Sequence, residues 1–306
     1  MWYFGIILLA TTVVAFKDSS EYDVPAPKGT NCSCGWTNPS RARIIGGQET
    51  GVNEFPMMVG FILRRLFIPG IVDMKNVHFC GGTLITRRHV ITAGHCLHDQ
   101  NGKRLTEKDM GIVLGAHNLK KLDYNNPKVM IKPEKLILHP KYQWQAHFDV
   151  GMVVVPHKVE FSRIIGPACL PVERFEVAAK ELTVIGWGFI SPQGPSSNVL
   201  KKTKVIGMSH RSCSRIWGIM PPFSTVERYQ FCTFQPGTSQ CLGDSGGPIM
   251  WVNPVTKRWT LVAAVSYGTS TCHTHPCVSS DISYFMPWIQ KTIAETYPEE
   301  KTCAHI

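Results

Sequence analysis

The chain has 306 residues, of which 43% are hydrophobic and 18% charged, and this balance excludes a disordered tail and fits one large folded domain or two small ones. Its formal net charge is +10, and the charge is still +9 without residues 1–43, which carry four basic and three acidic side chains. The basic surface either contacts an anionic surface or only keeps the protein soluble, and no run of Lys and Arg is interleaved with aromatic residues as nucleic-acid binding would require.

Residues 1–15 form a short apolar run that ends in small residues, which predicts a secretory signal peptide cleaved after Ala15, with a buried N-terminal strand as the alternative. No later segment is long and apolar enough to span a membrane, so we expect a secreted, extracellular protein. Eleven cysteines then predict disulfides, because that compartment is oxidising. Their spacing does not resemble a zinc knuckle, and we expect neither a metal nor a cofactor.

Residues 16–43 are polar and interrupted by three prolines and two glycines, which predicts an irregular segment rather than a folded unit. From residue 44 to residue 306, short β-branched runs alternate with turn residues, which predicts an all-β domain, either a barrel or a sandwich. The predicted strands lie within residues 57–63, 82–93, 111–114, 129–138, 150–155, 182–186, 200–208, 248–251 and 259–265. Residues 285–296 carry apolar side chains at helical spacing, which predicts a C-terminal helix.

The sequence Cys-Leu-Gly-Asp-Ser-Gly-Gly-Pro at residues 241–248 makes Ser245 a candidate nucleophile, because its glycines leave backbone N–H groups exposed. A serine hydroxyl attacks a carbonyl well only when a base takes its proton and donors stabilise the negative oxygen that forms. The chain offers His95 in Thr-Ala-Gly-His-Cys and Asp149 in Phe-Asp-Val-Gly-Met. A lone His is usually structural and an isolated Asp is often a turn cap, so the prediction depends on the three motifs together.

These three motifs, in the order His, Asp, Ser, resemble those of the chymotrypsin-like serine proteases, and the resemblance covers about residues 32–306. It implies an all-β fold of two packed six-stranded antiparallel β-barrels, with the active site between them and a C-terminal α-helix. It also implies that residues 44–306 are a serine protease domain that hydrolyses peptide bonds in proteins or peptides.

The resemblance assigns a role to each catalytic group. His95 is the general base toward Ser245, and Asp149 fixes the tautomer and orientation of His95. Ser266 donates a hydrogen bond to Asp149. The backbone N–H groups of Gly243 and Ser245 form the oxyanion hole.

An activation site at Arg43 and Ile44 is also implied by the resemblance. Cleavage after Arg43 frees the Ile44 ammonium group, which pairs with Asp244 and orders the oxyanion hole and the specificity pocket. The intact chain is then a zymogen, with residues 16–43 as its activation segment. Arg41 is an alternative cleavage site. The alternative to an activation site is an ordinary exposed loop with two basic residues and no functional role.

The residue six positions before the nucleophile forms the floor of the specificity pocket in this family, and here it is Ser239, which offers no counter-charge to Lys or Arg. Gly268 leaves one wall open, and Cys277 stands where the other wall usually has glycine. We therefore expect cleavage after uncharged residues, as in chymotrypsin, and a separate trypsin-like protease as the activator. Ala116 replaces the carboxylate of the family's calcium loop, so no calcium site is predicted.

A disulfide framework follows from the same resemblance. The expected bridges are Cys80–Cys96, Cys213–Cys232, Cys241–Cys272, and Cys169 with either Cys32 or Cys34, the last of which keeps the cleaved leader attached. Cys303 is expected to form a disulfide with the remaining leader cysteine. Cys277 then has no partner within the chain, and the alternative to a free thiol is an interchain disulfide.

The leader at residues 31–40 and the segment at residues 51–58 resemble insect venom and salivary serine proteases more than digestive trypsins. This resemblance implies a venom or salivary component, and hence a toxin. One alternative is a catalytically silent protease-fold binding protein or toxin, against which the intact motifs count. The other is a regulatory protease of a clotting or melanisation cascade, against which Ser239 and the short leader count.

Overall fold

The structure, a computed structural model, describes residues 24–38, 48–68, 72–144, 147–188, 196–219, 225–236, 244–269 and 275–306, without the side chains of residues 66–68 and 72–73. Its strands are β1 (Gln48–Glu49), β2 (Met58–Ile68), β3 (Val72–Leu84), β4 (His89–Thr92), β5 (Met110–Leu114), β6 (Met130–Ile131), β7 (Lys135–Leu138), β8 (Gly151–Val154), β9 (Glu181–Gly186), β10 (Lys201–Gly207), β11 (Gln230–Phe234), β12 (Pro248–Val252), β13 (Trp259–Tyr267) and β14 (Cys277–Asp281). Its α-helices are α1 (His210–Trp217) and α2 (Ile282–Thr296). Within these ranges, neither helix has both the length and the apolar character needed to cross a bilayer.

The first sheet is antiparallel, with the strand order β6-β5-β2-β3-β4-β8-β7. β2 and β3 make its long central hairpin, and the extra residue Phe79, opposite Phe61 and Ile62, forms a bulge that bends β3. Every second side chain of a strand points to the same face, so the apolar residues of these strands collect on the inner face of the curved sheet. The buried cluster there includes Phe61, Leu84, Val90, Ile112 and Val153.

Six strands of the second sheet close into a barrel in the order β9-β10-β11-β14-β13-β12, because β10 pairs with β9 as well as with β11. Val184, Val205, Ile249 and Val262 fill its interior. The predicted fold class, two packed antiparallel β units followed by a C-terminal helix, is confirmed. The first unit differs in detail from a six-stranded barrel, since it has seven strands in the described residues, with β6 and β7 at its edges.

An apolar cluster between the two units draws on both sheets and on α2. Its fully buried members include Ile62, Met152, Ile185 and Leu261. One face of α2 packs on this cluster through residues three or four positions apart, Ile282, Phe285, Ile289 and Ile293. Burying a side chain of this size contributes about 1.5 to 3 kcal/mol, so this face fixes the helix to the barrels. The cluster thereby joins the two units, between which the active site is predicted.

Four disulfides link described residues, Cys32–Cys303, Cys34–Cys169, Cys80–Cys96 and Cys213–Cys232. The leader is thus bonded both to the loop before β9 and to the C-terminal tail, where the Asn31 N–H donates to the Ala304 oxygen at 3.0 Å. Cys277 is buried and takes no part in these four bridges. Cys241 and Cys272 lie outside the described residues.

Candidate active site

The His95 turn and Asp149 are neighbours because β4 pairs with β8. The last residue of β4 faces the first residue of β8, so the chain after β4 and the chain before β8 emerge at the same edge of the sheet. His95 begins a single 3-10 turn just after β4. The next residue, Cys96, is bonded to Cys80 on β3, which fixes this turn to the sheet.

Both oxygens of the Asp149 carboxylate accept hydrogen bonds from His95. Oδ2 accepts from Nδ1 at 2.8 Å, and Oδ1 accepts from the backbone N–H at 2.8 Å. The Ser266 hydroxyl donates to Oδ2 at 2.5 Å, and the Ser280 hydroxyl donates to the backbone oxygen of Asp149 at 2.6 Å. Asp149 is fully buried, and a buried carboxylate is tolerated only when such donors replace water. The imidazole is therefore held with Nδ1 toward the acid, which leaves Nε2 to accept a proton.

Burial and pairing act in opposite directions on these two groups. Burial is the largest influence on Asp149 and would raise the pKa of its carboxyl, but the charge of His95 and the hydrogen bonds from His95 and Ser266 hold that pKa below its ordinary value. Burial would likewise lower the pKa of His95, yet the charge and hydrogen bond of Asp149 outweigh burial and raise that pKa above its ordinary value. Asp149 is therefore ionised at neutral pH, and His95 is a stronger base than free imidazole.

Ser245 lies on a tight turn that leads into β12. Its backbone oxygen accepts a hydrogen bond from the Gly81 N–H at 2.8 Å, beside the disulfide that holds the His95 turn. Gly246 has a φ of +71°, and a Cβ at this residue would lie 2.1 Å from Thr92 Oγ1. Only glycine lets the turn come so close to the end of β4. The structure thus brings the Ser245 turn against the strand that carries the His95 turn.

The carboxylate of Asp244, the residue before Ser245, fills a space made by two glycines. The Gly188 N–H donates to Asp244 Oδ1 at 2.9 Å. A Cβ at Gly186 would lie 2.1 Å from that oxygen, and a Cβ at Gly188 would lie 2.5 Å from it. A larger residue at either position would therefore displace the carboxylate.

Two of the predicted pocket residues, Gly268 and Cys277, lie side by side. Gly268 follows β13 and Cys277 begins β14, and a Cβ at Gly268 would lie 3.0 Å from the Cys277 sulfur. The sulfur therefore borders the space that the glycine leaves open. The other predicted residues of the pocket, oxyanion hole and activation site fall outside the described ranges, namely Ser239, Gly243, Arg43 and Ile44.

Two features next to Asp149 are not predicted by the motifs. Ser280 supports the backbone of Asp149, and Phe148, directly before it, has a φ of +47°. The sequence gives no signal for Ser280, because β14 reads Cys-Val-Ser-Ser-Asp and has no apolar pattern that predicts a strand. Phe148 gives no signal either, because a left-handed residue is normally Gly, Asn or Asp.

Comparisons with known proteins agree with this geometry. The trypsin family model matches residues 44–289. Venom serine protease 34 of Apis mellifera is 35% identical over 282 residues, which are 90% of this chain and 63% of that protein. Venom serine protease of Polistes dominula is 33% identical over 295 residues, which are 95% of this chain and 97% of that protein. Clotting factor G beta subunit of Tachypleus tridentatus is 30% identical over 271 residues, which are 84% of this chain and 82% of that protein.

The chain spans less than two thirds of the Apis mellifera relative and nearly all of the Polistes dominula relative. Both similarities confirm the predicted kinship with insect venom proteases. The family match covers most of the chain and includes both β units together with His95, Asp149 and Ser245. The chain belongs to the trypsin family of chymotrypsin-like serine endopeptidases.

Proposed function

We propose that this chain is an active, secreted serine endopeptidase, made as a zymogen and released as a venom or salivary component. The observation that carries the proposal is the pairing of His95 with Asp149, a fully buried carboxylate both of whose oxygens accept hydrogen bonds from that one residue. Such pairing orients an imidazole as a base and stabilises the imidazolium that forms. The relatives named venom serine protease support the extracellular location.

In the proposed reaction, Ser245 Oγ attacks the scissile carbonyl carbon while His95 Nε2 takes the hydroxyl proton. The carbonyl oxygen becomes negative and accepts hydrogen bonds from the N–H groups of Gly243 and Ser245. His95 then gives its proton to the leaving amine as the C–N bond breaks, and an acyl ester of Ser245 remains. Water attacks this ester with His95 again as base and then as acid, which releases the carboxylic acid product and restores the hydroxyl. Asp149 stays ionised throughout.

Cleavage after Arg43 is the proposed activation step. The half-buried Asp244 carboxylate accepts the Gly188 N–H, and after cleavage the new Ile44 ammonium group would pair with it. Removing one partner of a buried ion pair costs about 3 to 5 kcal/mol, so a pair that forms only after cleavage would favour the active arrangement of the oxyanion hole. A relative named Proclotting enzyme, 30% identical over 264 residues, supports synthesis as a precursor.

Trypsin treatment of the purified protein is expected to raise its hydrolysis of an uncharged peptide ester by about 10²- to 10⁴-fold, the rate equivalent of the 3 to 5 kcal/mol given for such an ion pair. Mass spectrometry should show a new N-terminus at Ile44. Arg43→Gln is expected to prevent both changes, whereas Arg41→Gln, the matched control, should keep both. Equal activity of the intact and the cleaved protein would overturn the zymogen proposal.

The activated enzyme is expected to cleave a peptide library after medium or large uncharged residues rather than after Lys or Arg, because Ser239 gives the proposed pocket floor no negative charge. Ser239→Asp should increase cleavage after Lys and Arg by about 10²-fold, since it supplies a buried counter-charge. Ser239→Asn is the matched control, because it adds similar volume without charge. Digests analysed by mass spectrometry give the residue before each cut. A preference of the unmodified enzyme for Lys or Arg would show that the pocket assignment is wrong.

A further inference from the structure

Phe148, the residue directly before Asp149, has a backbone conformation that phenylalanine rarely adopts. Its φ of +47° lies in the left-handed region. Four other described residues besides glycine share a positive φ, and none is next to a catalytic group in the chain, namely Asn53, Asn76, Ala179 and Lys257. A bulky residue in this region costs on the order of 1 to 3 kcal/mol and persists only where its surroundings enforce it.

The ring of Phe148 is stacked on two other rings. Its centroid lies 4.2 Å from that of Tyr229, with the planes 26° apart, and 5.1 Å from that of His139, with the planes 8° apart. Phe285 of α2 meets the ring edge-on, with centroids 6.3 Å apart. Each such pair contributes about 0.5 to 1.5 kcal/mol beyond the area that it buries, so the three pairs together match the cost of the left-handed backbone. We name Phe148, Tyr229 and His139 the aromatic clamp.

The left-handed residue folds the chain into a tight turn around Asp149. The Val150 N–H donates to the Phe148 oxygen at 2.8 Å, so the turn closes across the residue that carries the acid. From this turn the Asp149 side chain is fully buried, while Phe148 is half-buried. The Val150 oxygen in turn accepts from the His139 N–H at 3.2 Å, which ties the turn to a residue of the aromatic clamp. The clamp and the carboxylate therefore belong to one connected turn.

We propose that Phe148 is a positioning residue of the catalytic reaction, an inference that rests on the proposed function. The aromatic clamp enforces the left-handed backbone at Phe148, and this backbone sets the two 2.8 Å hydrogen bonds that join Asp149 to His95. Without the clamp the turn relaxes toward ordinary backbone angles, the carboxylate shifts, and the imidazole loses its fixed orientation. Phe148 acts through Asp149 and not on the substrate.

Three variants of Phe148 in the activated enzyme test this role. Phe148→Tyr keeps the ring and should keep kcat within about twofold, since it conserves shape. Phe148→Ala removes the ring but keeps the steric cost of positive φ, and kcat is expected to fall about 10- to 100-fold with KM nearly unchanged, because a catalytic group displaced by about 1 Å loses on that order. Phe148→Gly removes both the ring and the steric cost, and its kcat should lie between those of the other two.

The pH dependence of kcat/KM separates a positioning role from a merely structural one. The acid limb of this profile follows the pKa of the base in the free enzyme. In Phe148→Ala and Phe148→Gly, Asp149 holds His95 less firmly, so the acid limb is expected to move to lower pH. A structural role alone would lower the Tm and leave the limb in place.

A second site is included in case Phe148→Ala does not fold. Tyr229→Leu removes one stack, together with the contact of its hydroxyl with His147 Nδ1 at 3.1 Å, and kcat is expected to fall about 3- to 10-fold with the same shift of the acid limb. Phe175→Leu is the matched control, because the Phe175 ring pairs with that of Trp251, with centroids 5.1 Å apart, outside the aromatic clamp. Phe175→Leu should leave kcat and the limb unchanged.

Unchanged kcat and an unchanged acid limb in Phe148→Ala and Tyr229→Leu would overturn the inference. An Asp149→Ala variant assayed beside them shows which proposal has failed. If Asp149→Ala is inactive while the clamp variants are unimpaired, only the positioning role is wrong. If Asp149→Ala is as active as the unmodified enzyme, the proposed function itself is wrong.

Discussion

Replacing Ser245 by alanine is expected to lower kcat of the activated enzyme about 10⁶-fold while the protein stays folded. The proposed reaction uses the hydroxyl, whereas the turn around it is held by the backbone. The Ser245 oxygen accepts the Gly81 N–H at 2.8 Å, and alanine keeps this bond. The peptide groups of the oxyanion hole also remain, so the residual rate should still exceed that of the uncatalysed reaction by about 10³- to 10⁴-fold.

Labelling and hydrolysis together check this prediction. A fluorophosphonate probe should label the trypsin-treated protein and should not label Ser245→Ala, and hydrolysis of a peptide ester gives the size of the loss. Ser212→Ala, which changes an exposed serine of α1, is the matched control and should behave like the unmodified protein. Equal labelling of Ser245→Ala would place the nucleophile elsewhere. Failure of the processed, unmodified protein to hydrolyse any member of a peptide library would favour the catalytically silent binding protein.

Hydrophobic patterning predicts most of the strands, because most of them turn apolar side chains toward a barrel interior. The predicted runs at residues 150–155, 182–186 and 248–251 correspond to β8, β9 and β12. The sequence predicts the C-terminal helix from residue 285, whereas α2 begins at Ile282. The helix starts one turn earlier because the Asp281 side chain accepts a hydrogen bond from a backbone N–H of its first turn.

Patterning does not predict β1, β11, β14 and α1, and of these β1, β14 and α1 contain few apolar residues. β14 reads Cys-Val-Ser-Ser-Asp, yet every residue in it is buried. Its serines belong inside because their hydroxyls are used there, as when Ser280 donates to the backbone oxygen of Asp149. α1 buries only Cys213 and Trp217 among its 8 residues, so no apolar stripe marks it as a helix. A pattern of apolar residues does not predict an element that buries polar side chains.

In the candidate site, too, some residues can be predicted from the sequence and others cannot. Each triad motif can be identified from a few neighbouring residues, whereas the support of Asp149 comes from Ser266 and Ser280, 117 and 131 positions further along the chain. Family resemblance suggests Ser266, and only the fold reveals Ser280 and the left-handed Phe148. The roles assigned to residues outside the described ranges stay predictions, namely those of Ser239, Gly243, Arg43 and Ile44.

Asp149→Asn is expected to lower kcat about 10⁴-fold at neutral pH, which is the typical loss when the Asp of a Ser-His-Asp triad is replaced by Asn. Asparagine keeps the volume and one acceptor oxygen, but its amide nitrogen is a donor. Asp149 Oδ2 accepts hydrogen bonds from His95 Nδ1 and Ser266 Oγ, while Oδ1 accepts the His95 backbone N–H. Whichever way the amide is turned, one of these positions loses its acceptor. If the amide nitrogen faces the His95 imidazole, it donates a hydrogen bond to Nδ1, and the imidazole proton then lies on Nε2. His95 in this tautomer cannot take the proton of Ser245.

The same substitution should change the dependence of stability on pH. Asp149 raises the pKa of His95 above 6.5, so this stabilisation is complete below pH 6.5 and is lost as the pH rises through the raised value. The pKa of Asp149 is lowered from 3.8, so its stabilisation is present above pH 3.8 and is lost as the pH falls through the lowered value. The decrease in the free energy of unfolding caused by Asp149→Asn should therefore be largest between pH 3.8 and pH 6.5.

Activity follows the opposite protonation state of His95, because the reaction needs the neutral imidazole. In the unmodified enzyme kcat/KM should fall as the pH drops through the raised pKa of His95, and in Asp149→Asn this acid limb should move to lower pH, because the carboxylate charge that raises the pKa is gone. Initial rates of the activated proteins from about pH 5 to pH 9 measure the limb. Asp123→Asn, at an exposed aspartate, is the matched control and should keep both rate and limb. An unchanged limb in Asp149→Asn would mean that another group sets the pKa of the base, and the hydrogen bonds around Asp149 would then serve the fold rather than the reaction.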